Sequence, residues 1–271
     1  MPELPEVETI RRALEPHLVG HRICSLAVWQ PRLRYPVPPD LAGSVSGLHI
    51  TALARRAKYL IFHLEGGTWL LVHLGMSGRL SLVEPGSGRT LHDHWEIRLS
   101  HQAVRLHDPR RFGFLLGGHG PPGLHPLLAD LGPEPLEPDF GGPEWAQALR
   151  ARAAPVKSLL IDGRLVAGVG NIYASEALFR AGINPRRPGR RIGTARALIL
   201  GTAIRTVLEE ALAEGGSTLR DYRHINGDPG GFRVHWQVYG RAGEACRACG
   251  ETIRRIRIGQ RSTFFCPCCQ R

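Results

Sequence analysis

The sequence predicts a multidomain α+β protein: a leading helix, an antiparallel β-sandwich, and then a helical region followed by a cysteine-bearing β-hairpin. Three observations support this prediction. Apolar residues recur at helical spacing after Pro5, short apolar strand patterns follow to about residue 116, and a helical pattern then leads to clustered cysteines. The 271 residues are enough for two ordinary domains, each with its own core.

The opening stretch "MPELPEVETI" predicts the start of the leading helix. Pro5 suits a first helical turn, because the N–H that it lacks would have no partner there. Glu6 and Glu8 place negative charge at the positive end of the helix dipole. The apolar stripe of this helix is formed by Val7, Ile10, Leu14 and Leu18. Pro2 and Glu3 precede the helix, and the helix signal does not explain them.

Strand and helix signals divide the rest of the chain. "RAKYLIFHLEGGTWLLVHLG" predicts a hairpin turning at Gly66-Gly67, and "HWEIRLSHQAVRLHD" predicts a second hairpin turning at Ser100, His101 and Gln102. "PVKSLLIDGRLVAGVGNIYASEALFRAG" predicts two short helices, and "TARALILGTAIRTVLEEALAEGG" a longer one. We predict a first domain at 1–116, a Gly- and Pro-rich linker at 117–143, a helical domain with a polar loop at 144–233, and a cysteine hairpin at 234–271.

The charge balance favours a polyanionic partner. The formal net charge is +11, which points to nucleic acid before an anionic membrane surface. Only two of the 35 basic residues, Lys58 and Lys157, are lysines. Either these two lysines are needed as compact charges or titratable amines, or they are retained by chance. No apolar run has the length of a membrane span and no secretory signal is evident, so we expect a cytoplasmic protein.

The cysteines predict one structural zinc ion. Two C-x-x-C pairs on a hairpin can complete a closed tetrahedral thiolate site, which leaves no position for a catalytic water. The predicted ligands are Cys246, Cys249, Cys266 and Cys269. Cys268 could compete as a ligand, but Cys269 keeps the two-residue gap. Cys24 is predicted to be a small buried residue of an apolar strand.

Three further segments place charged, apolar or amide side chains in loops. "HDPRRFG" sets Arg110 and Arg111 beside Phe112, and "HLGMSG" carries Met76 between glycines. A loop Phe or Met is commonly a buried anchor, but enzymes that extract a base fill the vacated stack with such apolar wedges. In "GVGNIYASE", Asn171 starts a helix, where backbone N–H groups can bind phosphate or Asn can simply cap the helix.

Together, "PELPEVE", "HLGM", "HDPRRFG", "VGNIYASEALF" and the cysteine finger resemble the formamidopyrimidine-DNA glycosylase family of bacterial base-excision repair enzymes. The resemblance extends from Pro2 to the last cysteine. It implies an N-terminal β-sandwich domain, a C-terminal helix-two-turn-helix domain and a β-hairpin zinc finger. It also implies a monomer that acts on double-stranded DNA containing oxidised bases or abasic sites and associates with the nucleoid.

The resemblance implies a catalytic group at the N-terminus. Removal of Met1 would free the secondary amine of Pro2 as the nucleophile, with Glu3 transferring protons and Glu6 orienting the site. This assignment agrees with elementary chemistry, because an N-terminal amine titrates near neutrality and is partly unprotonated there. The resemblance adds Lys58 and Arg261 to the catalytic set, with Lys58 contacting a phosphate near the reacting sugar.

The remaining implied roles concern DNA contact and base extrusion. Lys157 matches a position linked to the processing of damaged purines. Contacts to the DNA backbone or the opposite base are implied for His73, Arg110, Asn171, Lys157 and Arg261. The wedge that fills the vacated stack is implied for Met76, Arg110 and Phe112. The loop from Ser217 to Phe232 matches the one that covers the flipped base.

Two alternatives to an oxidised-purine glycosylase/lyase remain open at this point. A relative resembling endonuclease VIII would act on oxidised pyrimidines, although "PELPEVE" and Lys157 favour purines. A non-catalytic protein that only binds damaged DNA would keep the same fold, but Pro2, Glu3 and Lys58 argue against it.

Overall fold

The computed structural model describes residues 2–216 and 236–271. These residues fall into two compact units. The first comprises Met1–Ala129 and a segment that begins at Glu214, and the second comprises Asp130–Ala213 and the C-terminal part of the chain. The change of unit after Ala129 lies within the stretch 117–143, while the finer division into domains stays a prediction. The loop predicted at 217–233 lies outside the described residues.

The described residues of the first unit form two antiparallel sheets and three α-helices. The helices are α1 (Leu4–Leu18), α2 (Leu41–Val45) and the short α3 (Pro126–Ala129). The strands are β1 (Ser25–Val28), β2 (Ile50–Arg56), β3 (Tyr59–Leu64), β4 (Thr68–His73), β5 (Arg79–Val83), β6 (Asp93–Arg98), β7 (Ala103–His107) and β8 (Phe114–His119). The sheet orders are β1-β6-β7-β5 and β2-β3-β4-β8, so both predicted hairpins, β3–β4 and β6–β7, are confirmed.

One core fills this unit. Alternate residues of the strands point inward from both sheets, for example Phe62 on β3 and Trp95 on β6, and the apolar stripe of α1 joins the same cluster. The spacing of the apolar residues therefore fixes which face of α1 is buried. Burial of this stripe holds the N-terminal end of α1 against the sheets.

The described residues of the second unit form four α-helices and a C-terminal hairpin. The helices are α4 (Pro143–Arg150), α5 (Val156–Ile161), α6 (Asn171–Arg180) and α7 (Thr194–Ala213), and the strands are β9 (Arg254–Ile258) and β10 (Arg261–Phe265). The two short helices and the longer one predicted from the sequence are α5, α6 and α7. Val238, Cys246, Ile253 and Cys266 form a small separate core beneath the hairpin.

The observed elements confirm the predicted α+β class with an antiparallel sandwich, a helical region and a cysteine hairpin. The prediction for Cys24 is wrong. This residue is exposed just before β1, because its neighbour Ile23 takes the inward position. Within the described parts of the chain, no helix is both long and apolar enough to cross a membrane.

Candidate functional site

Two acidic side chains lie buried at the beginning of α1. Glu3 and Glu6 are 1% and 0% exposed, and Pro2 is buried beside them. The backbone N–H of Glu3 donates to Oε2 of Glu6 at 2.7 Å, which satisfies one of the free N–H groups of a helix start. The structure therefore brings the three N-terminal candidates together and fixes Glu6 by a hydrogen bond to the backbone that follows Pro2.

Lys58 lies at the tip of the hairpin formed by β2 and β3. Arg56 and Tyr59 are paired across this hairpin, so the turn consists of Ala57 and Lys58 alone. Ala57 has a φ of 52°, in the left-handed region that is unfavourable for a residue with a Cβ. The Lys58 side chain is partly exposed.

Two loops of the first unit carry the wedge candidates. Met76 is half-buried between β4 and β5, and Phe112 is 41% exposed before β8. The guanidinium of Arg110 lies 4.7 Å from the centre of the Phe112 ring. Gly75 lets the loops approach closely, since its φ is +61° and a Cβ there would lie 2.3 Å from the carbonyl carbon of Phe112.

A buried carboxylate, Asp108, joins these two loops, and the sequence patterns did not single it out. Its Oδ1 accepts from the hydroxyl of Ser77 at 2.6 Å, and its Oδ2 accepts from the N–H of Gly113 at 2.8 Å. His94 donates from Nε2 to the Asp108 carbonyl at 2.6 Å. Asp108 is fully buried, so these bonds fix the loop of Met76 relative to the loop of Phe112.

His73 is a buried neutral side chain. Its Nδ1 accepts the N–H of Gly75 at 2.9 Å, and its ring stacks on Phe114 with a centroid distance of 5.3 Å. Burial, reinforced by the positive charges of Lys58 and Arg34, lowers the pKa of His73 to about 3. The geometry agrees, because protonation at Nδ1 would remove the acceptor that Gly75 uses. The role of His73 in DNA contact stays a prediction.

The second unit groups Lys157 with Arg261. An open cleft of about 410 Å³ is lined by residues along α5 and by the turn between β9 and β10, and Lys157 and Arg261 are among the lining residues. Lys157 is 1% exposed and donates from Nζ to the hydroxyl of Ser175 at 2.7 Å. Ser175 in turn donates to the carbonyl of Asn171 at 2.8 Å, which links the cleft to the first turn of α6.

Asn171 occupies the first position of α6, and Gly170 is the N-cap, so the simple capping interpretation of Asn171 is wrong. Its side-chain amide donates to the carbonyl of Ser262 on β10 at 3.0 Å. Its buried Oδ1 has no hydrogen-bond partner among the residues that the structure describes. The Asn171 side chain therefore connects the first turn of α6 to the hairpin that carries Arg261.

The four predicted cysteines converge at the end of the chain. Their Sγ atoms all lie within 4.8 Å of one another, with 3.9 Å between Cys246 and Cys269 and 3.5 Å between Cys249 and Cys266. Four thiolates about 2.3 Å from a tetrahedral zinc ion are separated by about 3.8 Å, so the cluster fits one zinc. Cys268 is exposed and stands outside this cluster.

Glu176 attaches the zinc hairpin to α6. Its carboxylate accepts the backbone N–H groups of Gln237, Val238 and Tyr239 at 2.8, 3.0 and 2.8 Å. Burial raises the pKa of Glu176 against the opposing effect of these bonds. Neither Asp108 nor Glu176 has a local sequence signal for its role, because the partners of each are defined only in the folded chain.

The chain matches three sequence profiles along its length. Residues 1–115 match "Formamidopyrimidine-DNA glycosylase N-terminal domain", 131–223 match "Formamidopyrimidine-DNA glycosylase H2TH domain", and 243–271 match "Zinc finger found in FPG and IleRS". It is 54% identical to the formamidopyrimidine-DNA glycosylase of Halorhodospira halophila and 51% identical to that of Methylococcus capsulatus. Both alignments run over 272 residues and cover 100% of each chain.

Solved structures give the same result. The MutM (Fpg) protein of Thermus thermophilus is similar at a TM-score of 0.90 and 43% identity, covering 99% of this chain and 98% of that one. Lactococcus lactis Fpg in complex with DNA containing an abasic site is similar at a TM-score of 0.92 and 34% identity, with 99% of each chain covered. The same protein bound to DNA containing Fapy-dG is similar at a TM-score of 0.90 and 34% identity, covering 99% of this chain and 100% of that one.

An N-terminal glycosylase domain, a helix-two-turn-helix domain and a zinc finger in one chain define a DNA-repair glycosylase. With the full-length identity to its relatives, the chain belongs to the formamidopyrimidine-DNA glycosylase family. The predicted family, fold class, glycosylase activity and single structural zinc are thereby confirmed. The roles of the individual site residues stay predictions.

We predict that Cys249→Ser loses the zinc, because three thiolates no longer close a tetrahedral site. Purified protein should contain less than stoichiometric zinc by atomic absorption and should unfold at a lower temperature. Cys268→Ser is the matched control, since the same change is made outside the cluster, and it should keep one zinc per chain. Full zinc content in Cys249→Ser would contradict the assignment.

We predict that His73 destabilises the fold in acid. Its pKa is about 3 in the folded chain against the ordinary 6.5, so between these values only the unfolded chain binds the proton. Stability is then lost as the pH falls through this window. His73→Asn keeps an acceptor for Gly75 and cannot be protonated, so it should reduce the loss between about pH 6.5 and about pH 4.5 by about 2 to 3 kcal/mol.

Urea titrations at both pH values measure this difference. His101→Asn, at an exposed histidine, is the control and should follow the parent protein. An unchanged pH dependence in His73→Asn would show that His73 is not held neutral.

Proposed function

We propose that the chain removes oxidised purines, such as 8-oxoguanine and formamidopyrimidines, from double-stranded DNA and nicks the strand through a Schiff base at Pro2. The observation that carries this proposal is the pair of buried carboxylates, Glu3 and Glu6, held at the start of α1 directly after Pro2. Burying a carboxylate is costly, so two of them in one helix turn point to a specific chemical use.

Pro2 supplies the nucleophile once Met1 is removed. Its secondary amine attacks C1′ of the damaged nucleotide, the glycosidic bond breaks, and the amine gives up its proton. The nitrogen lone pair then expels O4′ from C1′, which opens the sugar ring and leaves a positively charged iminium. This cation acidifies the neighbouring carbon, which permits β-elimination and then δ-elimination of the two phosphates. The base and O4′ each take up a proton as they leave C1′, and we assign Glu3 to the proton transfers at the sugar. Glu6 fixes the backbone of Glu3 and so orients it.

Phosphate contacts are assigned to both units. Lys58, at a hairpin tip, presents its ammonium to a phosphate near the reacting sugar. Arg261 contacts phosphate through its guanidinium from the zinc hairpin, and Asn171 is assigned a contact to the DNA backbone at the first turn of α6. Lys157, at the edge of the same cleft as Arg261, is assigned to damaged-purine processing.

The wedge is assigned to Phe112, with Arg110 above its ring and Met76 on the neighbouring loop. An exposed Phe held in a rigid turn can enter the base stack when the damaged nucleotide leaves it. The substrate class rests on the family, including the Lactococcus lactis protein bound to DNA containing Fapy-dG. DNA containing oxidised purines or abasic sites is therefore the proposed partner of this chain.

We predict that any residue left in front of Pro2 abolishes excision and strand cleavage. An amide nitrogen has a delocalised lone pair and cannot attack C1′. Protein with a retained N-terminal extension should bind a duplex containing an abasic-site analogue normally but leave 8-oxoguanine DNA intact on a denaturing gel. Processed protein should form a borohydride-trapped adduct, and Pro2→Gly should trap poorly.

Mass spectrometry of the trapped adduct identifies the nucleophile. A crosslink on the N-terminal peptide supports the proposal, and one at Lys58 contradicts it. A thymine-glycol duplex, cut in parallel, separates purine from pyrimidine specificity.

We predict that Phe112→Ala slows base extrusion but not general DNA binding. Without the ring, nothing offsets an unstacking cost of about a few kcal/mol, so single-turnover excision should fall about tenfold or more. Affinity for undamaged duplex should persist because the phosphate contacts remain. Leu91→Ala removes another exposed apolar side chain of the same unit and should leave excision unchanged. Equal excision rates in Phe112→Ala and Leu91→Ala would contradict the wedge role and indicate that Phe112 is a structural anchor.

A further inference from the structure

The hairpin turn that carries Lys58 requires support from the rest of the first unit. Ala57, the residue before Lys58, is in the left-handed region at a φ of 52°. A residue with a Cβ stays there only when surrounding contacts over-determine its conformation. Ala57 is also buried, so contacts with the rest of the first unit hold the turn in place.

Arg55 provides such a contact. Its Nη1 donates to the carbonyl oxygen of Ala57 at 3.1 Å, which holds the turn at the residue before Lys58. Its Nε donates at the same time to Oε2 of Glu8 at 3.1 Å. The planar guanidinium makes the two bonds from two nitrogens in a fixed geometry, whereas the ammonium of a lysine would have to reach both acceptors from one nitrogen on a flexible stem.

Glu8 connects this hairpin to the N-terminal residues. It is on α1, whose first turn contains Glu6 and follows Glu3, and its side chain is only 10% exposed. Burial works against ionisation of Glu8, but hydrogen bonds from Arg11 and Arg12 and the charge of Arg55 lower its pKa below the usual value. A second hydrogen bond also connects α1 to β2, because Nη1 of Arg11 donates to the carbonyl of Leu53 at 3.2 Å.

We propose that Glu8 and Arg55 are positioning residues, and that they fix the hairpin tip of Lys58 relative to Pro2 and Glu3. The proposal rests on the proposed function, which assigns Lys58 to a phosphate beside the reacting sugar. A lysine stabilises developing charge effectively only if its backbone is held in a fixed position relative to the nucleophile. A displaced donor must otherwise reorganise during the reaction. Glu8 and Arg55 contact neither reacting atoms nor DNA in this role.

The test uses Arg55→Lys, which keeps the charge and loses the fork. Single-turnover excision of 8-oxoguanine at saturating enzyme should fall about tenfold or more, because a small misplacement of a catalytic group has an effect of this size. Arg12→Gln is the matched control. It also removes an ion pair to Glu8, with Nε of Arg12 at 2.8 Å from Oε1, but it has no bond to the turn. Its rate should remain that of the parent protein.

A double-mutant cycle separates positioning from general damage to the fold. In a Lys58→Ala background, Arg55→Lys should cause no further loss of rate, since there is no longer an ammonium to position. A fold defect would lower the rate in both backgrounds. All rates are measured below the unfolding transition of the least stable variant, and Glu8→Gln replaces Arg55→Lys if the latter does not fold.

Two results would overturn the inference: an unchanged rate in Arg55→Lys, or an undiminished loss in the Lys58→Ala background. A parent protein that leaves 8-oxoguanine DNA intact while binding it would instead overturn the proposed function, and the inference with it. The rate of the parent protein therefore distinguishes the two failures.

Discussion

Buried carboxylates stabilise the irregular backbone on which the candidate site depends. Glu6 accepts the N–H of Glu3, Asp108 connects the loops of Met76 and Phe112, and Glu176 binds the chain that enters the zinc hairpin. Loops cannot satisfy their own N–H groups as helices and sheets do, and an unpaired buried group costs about 1 to 3 kcal/mol. A carboxylate can accept several such bonds at once, and bonds to a charged acceptor are stronger than neutral ones.

This constraint explains how exposed side chains can be held in defined positions. Phe112 is substantially exposed, so its own burial cannot fix it. The turn beneath it is fixed by Asp108, and Gly75 lets the loop of Met76 approach within contact distance. In the wedge role that we propose for Phe112, a side chain already in place before DNA arrives avoids the entropy cost of ordering it on binding.

The sequence predicts the parts of the fold that depend on local signals. The amphipathic period of α1, the glycines of the β3–β4 turn and the paired cysteines each carry their information within a few residues. The contacts of the buried carboxylates have no such local signal in the sequence. Glu8 suggested only a charge at a helix start, yet it also binds Arg55, 47 residues further along the chain. The prediction that Cys24 is buried was wrong for a related reason, because a short apolar run does not indicate which of its residues faces inward.

The unequal use of arginine and lysine follows from these same contacts. Arg55 makes two bonds with one planar group, and Arg105 likewise binds Glu96 through Nε and Nη2 at 2.9 and 2.6 Å. A lysine at either position would have one donor nitrogen in place of the two that make these bonds. Lys157 is the opposite case, since it is almost fully buried and binds the hydroxyl of Ser175, where a guanidinium would bring five donors that need partners. In a chain with 33 arginines, the geometry thus argues that Lys157 is retained for its compact charge and not by chance.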